Sequence, residues 1–352
     1  MADATATPLR TAAGALGSAR QLALGIALAG VVAIGAVTAA PLLARIFPIP
    51  AMVIALLIGI ALPPIASRPA FQPGLTWCVK KLLRYAIALL GVRVALGDIL
   101  DLGLTTALLV LAAMALTVAA GIAVARRLHV GDGYGALAGA ATAVCGASAT
   151  LATATVVPNY PRKGADVTFT VVAANAVSTL VMLLYPPLCA LIGFDPQTTG
   201  VMLGATIHDM AQVVGAGYAV SEPVGNTAVV VKLFRVFLLL PVVLGIGWWF
   251  TRLGAEHGEA RVPVPLFAVV FLALSVLNSI VPNLPFVASL YAPVKTVLLT
   301  ASTWGLLVAI AALGLGTSIT AVLTIGWRHL AVFCATTLVI LAVVTAGLLV
   351  SS

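Results

Sequence analysis

The sequence predicts an all-α polytopic membrane protein, and three observations support this fold class. The 352-residue chain is 62% hydrophobic and only 8% charged, whereas soluble domains contain about 25% charged residues. Apolar runs of the ~20 residues that a transmembrane helix needs recur along the whole chain. The net charge of +8 comes from basic residues scattered singly at the ends of these runs. Such residues are typical of topology signals and not of a nucleic-acid-binding surface.

Eleven apolar runs, separated by charge, proline or glycine, predict about 11 transmembrane helices. An N-terminal tail, residues 1–20, precedes the first run. That run is long for the apolar part of a cleaved signal peptide, so we predict an uncleaved extra helix. In chain order, spans one to eleven are 21–44, 49–66, 78–97, 103–125, 133–157, 165–192, 199–220, 226–250, 264–281, 294–319 and 329–350.

The distribution of lysine and arginine predicts a cytoplasmic N-terminus and a periplasmic C-terminus, because basic loops stay inside. Most basic loops then face the cytoplasm, but Arg45 and the pair Arg162 and Lys163 are exceptions. A span five that turned back within the membrane would move this pair inside. It would also put the basic residues from 252 to 328 outside, which is worse.

A short motif occurs twice, five spans apart. Span three contains Lys81-Leu-Leu-Arg84, and span eight contains Lys232-Leu-Phe-Arg235. An offset of five spans reverses the direction across the membrane, which is typical of the inverted repeats of secondary transporters. We therefore predict two inverted five-helix repeats, residues 45–193 and 194–352.

The same offset pairs spans five and ten, and both contain glycine beside small hydroxyl residues. Glycine lowers helix propensity by about 1 kcal/mol, and serine or threonine can cap a restarted helix. We predict crossed broken helices whose new N-termini bind an anion. The alternative is close helix packing through small residues, for which Gly135 with Gly139 and Gly200 with Gly204 are also suited. The candidate binding residues are Cys145, Gly146, Ala147 and Ser148 in span five and Gly314, Gly316, Thr317 and Ser318 in span ten.

Span seven places three polar residues, His208, Asp209 and Gln212, inside an apolar run. A carboxylate at membrane depth costs at least ~2.5–3.5 kcal/mol, so it usually faces a cavity or a partner. We predict that these residues bind substrate or a coupling ion, either a proton or sodium. A purely structural ion pair or hydrogen bond is the alternative. Asn175 in span six is a further candidate contact, with helix–helix bonding as its alternative.

Three basic side chains lie inside or near the ends of spans. Lys232 and Arg235 share a face of span eight, and Arg84 occupies the related place in span three. They could attract or gate an anion, once from each side. The alternative is snorkelling of the long side chains to the membrane interface.

The sequence predicts no enzyme, metal or cofactor. It contains no GxSxG, HExxH or Walker A motif in a suitable setting. The four cysteines form no CxxC pair and no cluster with histidine at metal spacing.

Several strings resemble the YeiH-type family of bacterial inner-membrane proteins, which are called sulfate exporters, a name that no motif here explains. The resemblance covers about residues 20–350, with departures at Thr150 and Phe234. The family is itself distantly similar to the bile-acid symporter and cation–proton antiporter group. This resemblance implies a ten-helix core, spans two to eleven, with two inverted five-helix repeats and crossed broken helices. The matching strings are Lys81–Arg84 through Arg93, Cys145–Ala149, Ile207–Gly217 and Lys232–Arg235.

We therefore predict a secondary active transporter of a small anion, such as sulfate or an organic sulfonate, in the bacterial inner membrane. Alternating access would come from one helix bundle rocking against another, with a proton or sodium as coupling ion. An anion channel and a membrane-embedded enzyme or sensor are the alternatives. The lipid bilayer is a partner and nucleic acid is not, and glycine-rich helix faces could join two protomers as a homodimer.

Overall fold

The computed structural model describes residues 7–43, 51–62, 68–94, 97, 100, 102–254, 266–283, 285–316 and 326–351. Within these ranges the chain is helical and has no strand, which confirms the all-α class. Six helices in the described part are long and apolar enough to cross a membrane, and three shorter helices are also apolar. The six are Arg20–Leu43, Gly103–Arg127, Lys163–Ile192, Glu222–Arg252, Leu290–Gly316 and Trp327–Val350.

Fifteen α-helices are described. A π-helical turn, Cys78–Leu82, joins α3 to α4, and short 3₁₀ turns follow α4 and α13. The helices are α1 (Thr7–Leu43), α2 (Ala51–Ala61), α3 (Gln72–Trp77), α4 (Leu83–Leu89), α5 (Gly103–Arg127), α6 (Asp132–Ala143), α7 (Ala147–Val156), α8 (Lys163–Ile192), α9 (Pro196–Thr206), α10 (Met210–Val220), α11 (Glu222–Phe237), α12 (Leu239–Arg252), α13 (Leu266–Ile280), α14 (Pro285–Gly316) and α15 (Trp327–Ser351).

The chain divides into two compact units. The first comprises Met1–Leu90 and Val294–Thr317, and the second comprises Gly91–Pro293 and Ser318–Ser352. In the first unit α1 packs against α2 and α3 around a core rich in alanine. The predicted boundary between residues 193 and 194 concerns the repeats, and it stays a prediction.

Helix α14 differs from the prediction for span ten. It continues through Gly314 and ends at Gly316, so the predicted interruption does not lie at Gly314. A Cβ atom at Gly314 would come within 2.5 Å of the Leu56 carbonyl oxygen and 3.1 Å of Gly59 Cα. Glycine there permits close helix packing, which is the alternative that the sequence left open. Thr317 and Ser318 lie outside the described residues.

In the second unit, α6 and α7 form a hairpin that turns back instead of crossing, which we call hairpin 1. Its two ends lie side by side, because a Cβ atom at Gly133 would be 2.6 Å from Tyr160 Cε1 and 3.1 Å from Val157 Cγ1. Helix α5 packs along α6 through glycine: a Cβ atom at Gly135 would be 2.6 Å from the carbonyl oxygen of Gly121. The small residues around Gly135 therefore serve helix packing, which is the alternative that the sequence left open.

Helices α9 and α10 form a second hairpin, hairpin 2. Both of its outer ends lie beside the beginning of α11. A Cβ atom at Gly200 would be 2.5 Å from Thr227 Cβ, and one at Gly217 would be 2.8 Å from Gly225 Cα. Since Thr227 and Gly225 are at the same level of α11, hairpin 2 also enters and leaves on one side.

The two hairpins open at opposite ends of the candidate span Glu222–Arg252, which α11 and α12 form. Hairpin 2 opens beside its first residues. Hairpin 1 opens beside its last ones, because a Cβ atom at Gly247 would be 3.2 Å from Val156 Cβ. The guanidinium of Arg126, at the end of α5, also lies 5.4 Å from the centroid of the Trp249 ring. The hairpin tips therefore point towards each other.

This arrangement differs from the predicted layout at spans five and seven, for each of which the sequence predicts one crossing helix. The physical reason is length. Helices α6 and α9 have 12 and 11 residues and so reach only about 16–18 Å, roughly half of a ~30 Å hydrocarbon core. The length of an apolar run of about 25 residues does not reveal whether the run forms one crossing helix or two half-helices.

Helix α9 begins at an N-cap that can be tested for stability. Asp195 Oδ1 accepts hydrogen bonds from the backbone N–H groups of Gln197 (2.8 Å) and Thr198 (3.2 Å). We expect Asp195→Ala to lower the free energy of unfolding at pH 7 by about 1 kcal/mol. Thermal unfolding in detergent measures the change, and Asp195→Asn, which keeps a capping oxygen without the charge, should lower the stability less than Asp195→Ala.

The same cap predicts a pH dependence. Hydrogen bonding, first from the Thr198 side chain and then from backbone N–H groups, holds the pKa of Asp195 below its usual value. A carboxylate with a lowered pKa stabilises the folded state above the unfolded pKa of ~3.9, and this contribution disappears as the pH falls through the folded pKa. The difference between parent and Asp195→Ala should therefore shrink at pH 3, and an equal difference at pH 7 and pH 3 would contradict this account.

Candidate functional site

The tips of the two hairpins adjoin each other. Tip 1 comprises residues 144–146 and tip 2 residues 207–209. A Cβ atom at Gly146 would be 3.9 Å from Asp209 Cβ and equally far from the carbonyl oxygen of His208. The helix is interrupted at Cys145 and Gly146, where the sequence predicts a break. The second break lies at the polar string of span seven.

Tip 1 depends on a backbone conformation that favours glycine. Gly146 has φ +61° and ψ −118°, a positive-φ conformation outside the left-handed helical region that glycine adopts readily and that costs other residues about 1–3 kcal/mol. We expect Gly146→Ala to lower the melting temperature, measured in detergent, by an amount that corresponds to this cost. Gly164→Ala is the matched control, because Gly164 is exposed, has no positive φ and has open space around it. Equal melting temperatures of the two variants would contradict the requirement.

Lys232 of α11 joins both tips. Its side chain is fully buried, and Nζ donates to the carbonyl oxygens of Val144 (2.6 Å), Ile207 (2.9 Å) and His208 (2.5 Å). An ammonium group has three N–H donors, so these three bonds use all of them. The snorkelling alternative does not apply to Lys232.

Arg235 lies one turn later on α11 and is also fully buried. Its Nε donates to Ala143 O (2.9 Å), and Nη2 donates to Thr142 O (2.5 Å), both at the end of α6. Its Nη1 donates to Gly204 O (2.9 Å) and Ile207 O (3.0 Å), at the end of α9. Arg235 therefore binds both hairpins through backbone oxygens and does not snorkel.

These two cations compensate the C-terminal ends of α6 and α9. The last turn of a helix leaves carbonyl groups without helical partners, and its dipole places about −0.5 charge there. Lys232 and Arg235 supply both hydrogen bonds and positive charge to these ends. The basic pair therefore holds the tips together and offsets the negative ends of both helices.

The N-terminal ends of α7 and α10 begin at the same tips. First-turn N–H groups have no helical acceptor, and the dipole places about +0.5 charge there. Asp209 partly compensates α10, because its Oδ1 accepts the N–H of Ala211 at 3.2 Å. Half-buried Cys145 and Ser148 lie at the start of α7. Two positive helix ends favour an anionic group at the tips.

His208 is fully buried, and its ring stacks on Phe333 with centroids 5.6 Å apart. Its Nε2 lies 2.9 Å from Thr337 Oγ1. The Thr337 hydroxyl donates its single proton to the Phe333 carbonyl oxygen at 3.0 Å, so we assign Nε2 as the donor to Thr337. Nδ1 is then an acceptor, and it has no hydrogen-bond partner among the described residues.

The hydrogen-bond partners of Gln212 likewise determine which way its side-chain amide faces. Its Nε2 donates to Asn175 Oδ1 (3.2 Å) and Thr179 Oγ1 (3.4 Å). Thr179 gives its own proton to the Asn175 carbonyl oxygen at 3.0 Å, so nitrogen and not oxygen must face it. Gln212 Oε1 is buried and finds no donor in the part of the chain that the structure describes.

Helix α8 supplies polar partners that the sequence analysis did not identify. Ser178 Oγ accepts the backbone N–H of Asp209 at 3.0 Å, and Thr179 contacts Gln212. The signal was present, because Asn175, Ser178 and Thr179 are spaced i, i+3, i+4 and share one helix face. For Thr337 the sequence offers no comparable signal, because nothing in this apolar helix distinguishes it from the neighbouring Thr336. Asn175 itself bonds Gln212, so it links α8 to α10.

A second acid–imidazole pair lies at the open end of hairpin 1. His329 Nε2 is 3.2 Å from Asp166 Oδ1, and both side chains are largely buried. The Tyr134 hydroxyl donates to the His329 carbonyl oxygen at 2.7 Å. The sequence predicts no role for His329, but the structure shows that it links α15 to α6 and α8.

The remaining predicted residues lie elsewhere. Arg84 is exposed in the first unit, to which Gly314 and Gly316 also belong. Among the described residues, no group of three His, Cys, Asp or Glu side chains could hold a metal ion. The candidate site is therefore the pair of tips in the second unit.

Comparison with known proteins gives a consistent family. Residues 24–333 match the family described as conserved hypothetical protein 698. The chain is similar to the UPF0324 membrane protein TauZ of Paracoccus pantotrophus, with 41% identity over 305 residues that cover 85% of this chain and 88% of the relative. UPF0324 membrane proteins of Chlorobaculum tepidum (38% over 314 residues; 88% and 85%) and Rhizobium meliloti (39% over 313; 88% and 89%) are also similar. No solved structure matches the chain.

Proposed function

This chain belongs to the UPF0324 family of membrane proteins, and from this premise we propose that it is a secondary active transporter of a small anion. The YeiH-type resemblance is thereby confirmed at the level of the family. One observation carries the proposal: two oppositely directed hairpins meet at their tips, and their carbonyl ends are bound by Lys232 and Arg235. Two positive helix N-termini remain for an anion, with sulfate or an organic sulfonate as candidates.

The hairpins support a transporter because irregular backbone at membrane depth persists only where protein covers it or a cavity is lined by it. Interrupted segments that enter from opposite sides mark the binding sites of secondary transporters. Each hairpin would close the site towards one side, so moving one of them would give alternating access. Hairpin 1 with α8 and hairpin 2 with α11 and α12 would form two short inverted repeats. Two inverted five-span repeats with crossed broken helices stay a prediction.

The hairpins also give a better topology. If spans five and seven both turn back, nine segments cross the inner membrane. Arg162 and Lys163 then join the cytoplasmic basic loops, and those from residue 252 to 328 stay cytoplasmic as well. The conflict with the positive-inside rule disappears for Arg162 and Lys163, and Arg45 stays an exception. The N-terminus is again cytoplasmic and the C-terminus periplasmic.

Cysteine labelling tests this topology. In a variant without native cysteines, Arg127→Cys and Asn159→Cys flank hairpin 1, and Phe194→Cys and Glu222→Cys flank hairpin 2. We expect an impermeant maleimide on intact cells to label the second pair and not the first, which should react only in inverted vesicles. Labelling of Arg127→Cys and Asn159→Cys from opposite sides would mean that hairpin 1 crosses the membrane.

Proton coupling follows from competition at α10. The Asp209 carboxylate caps the helix N-terminus that would also stabilise the anion. Two negative charges at one helix end repel each other, so protonation of Asp209 would favour anion binding. His208, directly before it, is a second proton acceptor at the tip. The expected mechanism is uptake of anion and proton together.

Transport in proteoliposomes tests the function. We expect uptake of labelled sulfate or organic sulfonate to saturate with concentration and to be accelerated by unlabelled substrate inside, as counter-transport requires. An inward proton gradient should increase the rate. Flux that rises linearly with concentration and shows no counter-transport would support the channel alternative.

A further inference from the structure

Two buried hydrogen-bond acceptors stand beside the tips without donors from the described residues. They are Nδ1 of His208 and Oε1 of Gln212, and both side chains are fully buried. We propose that the transported substrate carries a primary ammonium group as well as its anionic group. This proposal rests on the proposed anion transport and names the substrate class more closely.

Two neighbouring threonines fix both atoms as acceptors. Thr337 and Thr179 each give their only proton to a carbonyl oxygen of their own helix. The groups that face these hydroxyls must therefore donate, which leaves the opposite atoms of His208 and Gln212 with lone pairs. A buried acceptor without a donor costs free energy, so a ligand that supplies N–H groups gains by satisfying it.

The chemistry of this segment suits an ammonium group and not a second anionic oxygen. A primary ammonium has three N–H donors. His208 and Gln212 offer an imidazole nitrogen and an amide oxygen, and a charged donor strengthens the bond to each of them. Sulfate and simple sulfonates present only acceptors to these groups. Sodium prefers oxygen ligands, as hard cations do, and would leave the imidazole nitrogen without a partner.

The anionic end of the substrate has its own partners at the tips. The first-turn N–H groups of α7 and α10 are donors, and both helices begin where Gly146 and Asp209 adjoin. Lys232 uses all three N–H donors on backbone oxygens, so the helix N–H groups and not this side chain bind the anionic end. A small zwitterion with a sulfonate or carboxylate at one end and an ammonium at the other satisfies both the N–H donors and the two acceptors.

Matched ligand pairs on the purified full-length protein test the proposal. In 2-aminoethanesulfonate an ammonium replaces the terminal methyl group of propane-1-sulfonate, and 3-aminopropanoate with butanoate is the corresponding carboxylate pair. Affinity is measured by thermal shift at pH 7 in potassium buffer. We expect the amine-bearing member to bind about 10- to 100-fold more tightly than its isostere. The pair that binds more tightly shows whether the anionic group of the substrate is a sulfonate or a carboxylate.

Variants of Gln212 test whether the preference for the amine-bearing ligand depends on residues 208–212. Gln212→Leu removes the acceptor and should reduce the preference for the amine by about tenfold, whereas Gln212→Glu keeps an acceptor and should retain it. Thr300→Val, exposed on α14, should leave the preference unchanged. Size-exclusion profiles and ligand-free melting temperatures show whether each variant is folded.

The outcomes separate the two proposals. If the isosteres without amine bind as tightly as the amines, the ammonium site is overturned and anion transport stands. If sodium alone raises the melting temperature and Gln212→Leu removes that effect, the acceptors belong to a cation site and the proposal is also overturned. If no sulfonate, carboxylate or sulfate binds, both the ammonium site and the proposed function fail.

Discussion

Lys232→Met is expected to lower the free energy of unfolding by about 3–5 kcal/mol, because removing one partner from a buried charged network leaves the other partners unpaired. Three carbonyl oxygens at two tips lose their donor together. Each buried group without a partner costs ~1–3 kcal/mol. The measurement is the melting temperature in detergent, together with the amount of protein in the membrane fraction.

The chain contains a matched control for this substitution. Lys81 begins the same K-L-x-R motif and is exposed, so Lys81→Met should change stability by no more than ~0.5 kcal/mol. Lys232→Arg should restore the stability only in part, because a planar guanidinium presents its donors in a fixed fork and not as three rotatable N–H groups. If Lys232→Met unfolds at the same temperature as Lys81→Met, the tips do not depend on this side chain.

Asp209→Asn is expected to abolish the response of transport to a proton gradient. Asparagine keeps the shape and the capping oxygen for the N–H of Ala211, but it cannot take up a proton. Coupling to one proton changes the driving force by up to about tenfold per pH unit, so the parent should respond strongly and the variant by less than about twofold. Initial rates of uptake into proteoliposomes with and without a pH difference measure this.

Asp195→Asn is the matched control for Asp209→Asn. Both aspartates are N-caps in hairpin 2, of α9 and α10 respectively, but Asp195 lies at the open end and Asp209 at the tip. Asp195→Asn should keep the proton response of the parent. An intact proton response in folded Asp209→Asn would remove this carboxylate from the coupling mechanism.

The membrane class and the first break could be predicted from the sequence because they depend on composition and on local backbone chemistry. Gly146 sits between an apolar run and small polar residues, and its positive φ is a property of glycine itself. The polar string at His208 was equally visible, since charged and polar groups are rare at membrane depth.

The second break could not be assigned from the sequence, because the same small residues suit both a broken helix and close packing. Gly314 packs against another helix backbone, whereas the break in span seven needs no glycine at all. The K-L-x-R motif alone does not decide burial either, since Lys81 is exposed and Lys232 is buried by its tertiary contacts. The misplaced pair Arg162 and Lys163 was the available signal for the hairpins, but it becomes consistent only when two segments turn back.

The contact between Lys232 and the carbonyl oxygen of Val144 spans 88 residues of sequence, and this has a consequence for biogenesis. At translation rates of about 5–20 residues per second, the tip of hairpin 1 waits roughly 5–20 seconds for its lysine to leave the ribosome. During that interval its bare carbonyl groups have no cation. A chain truncated before residue 232 should therefore be a preferred substrate for membrane quality-control proteases, however apolar its finished helices are.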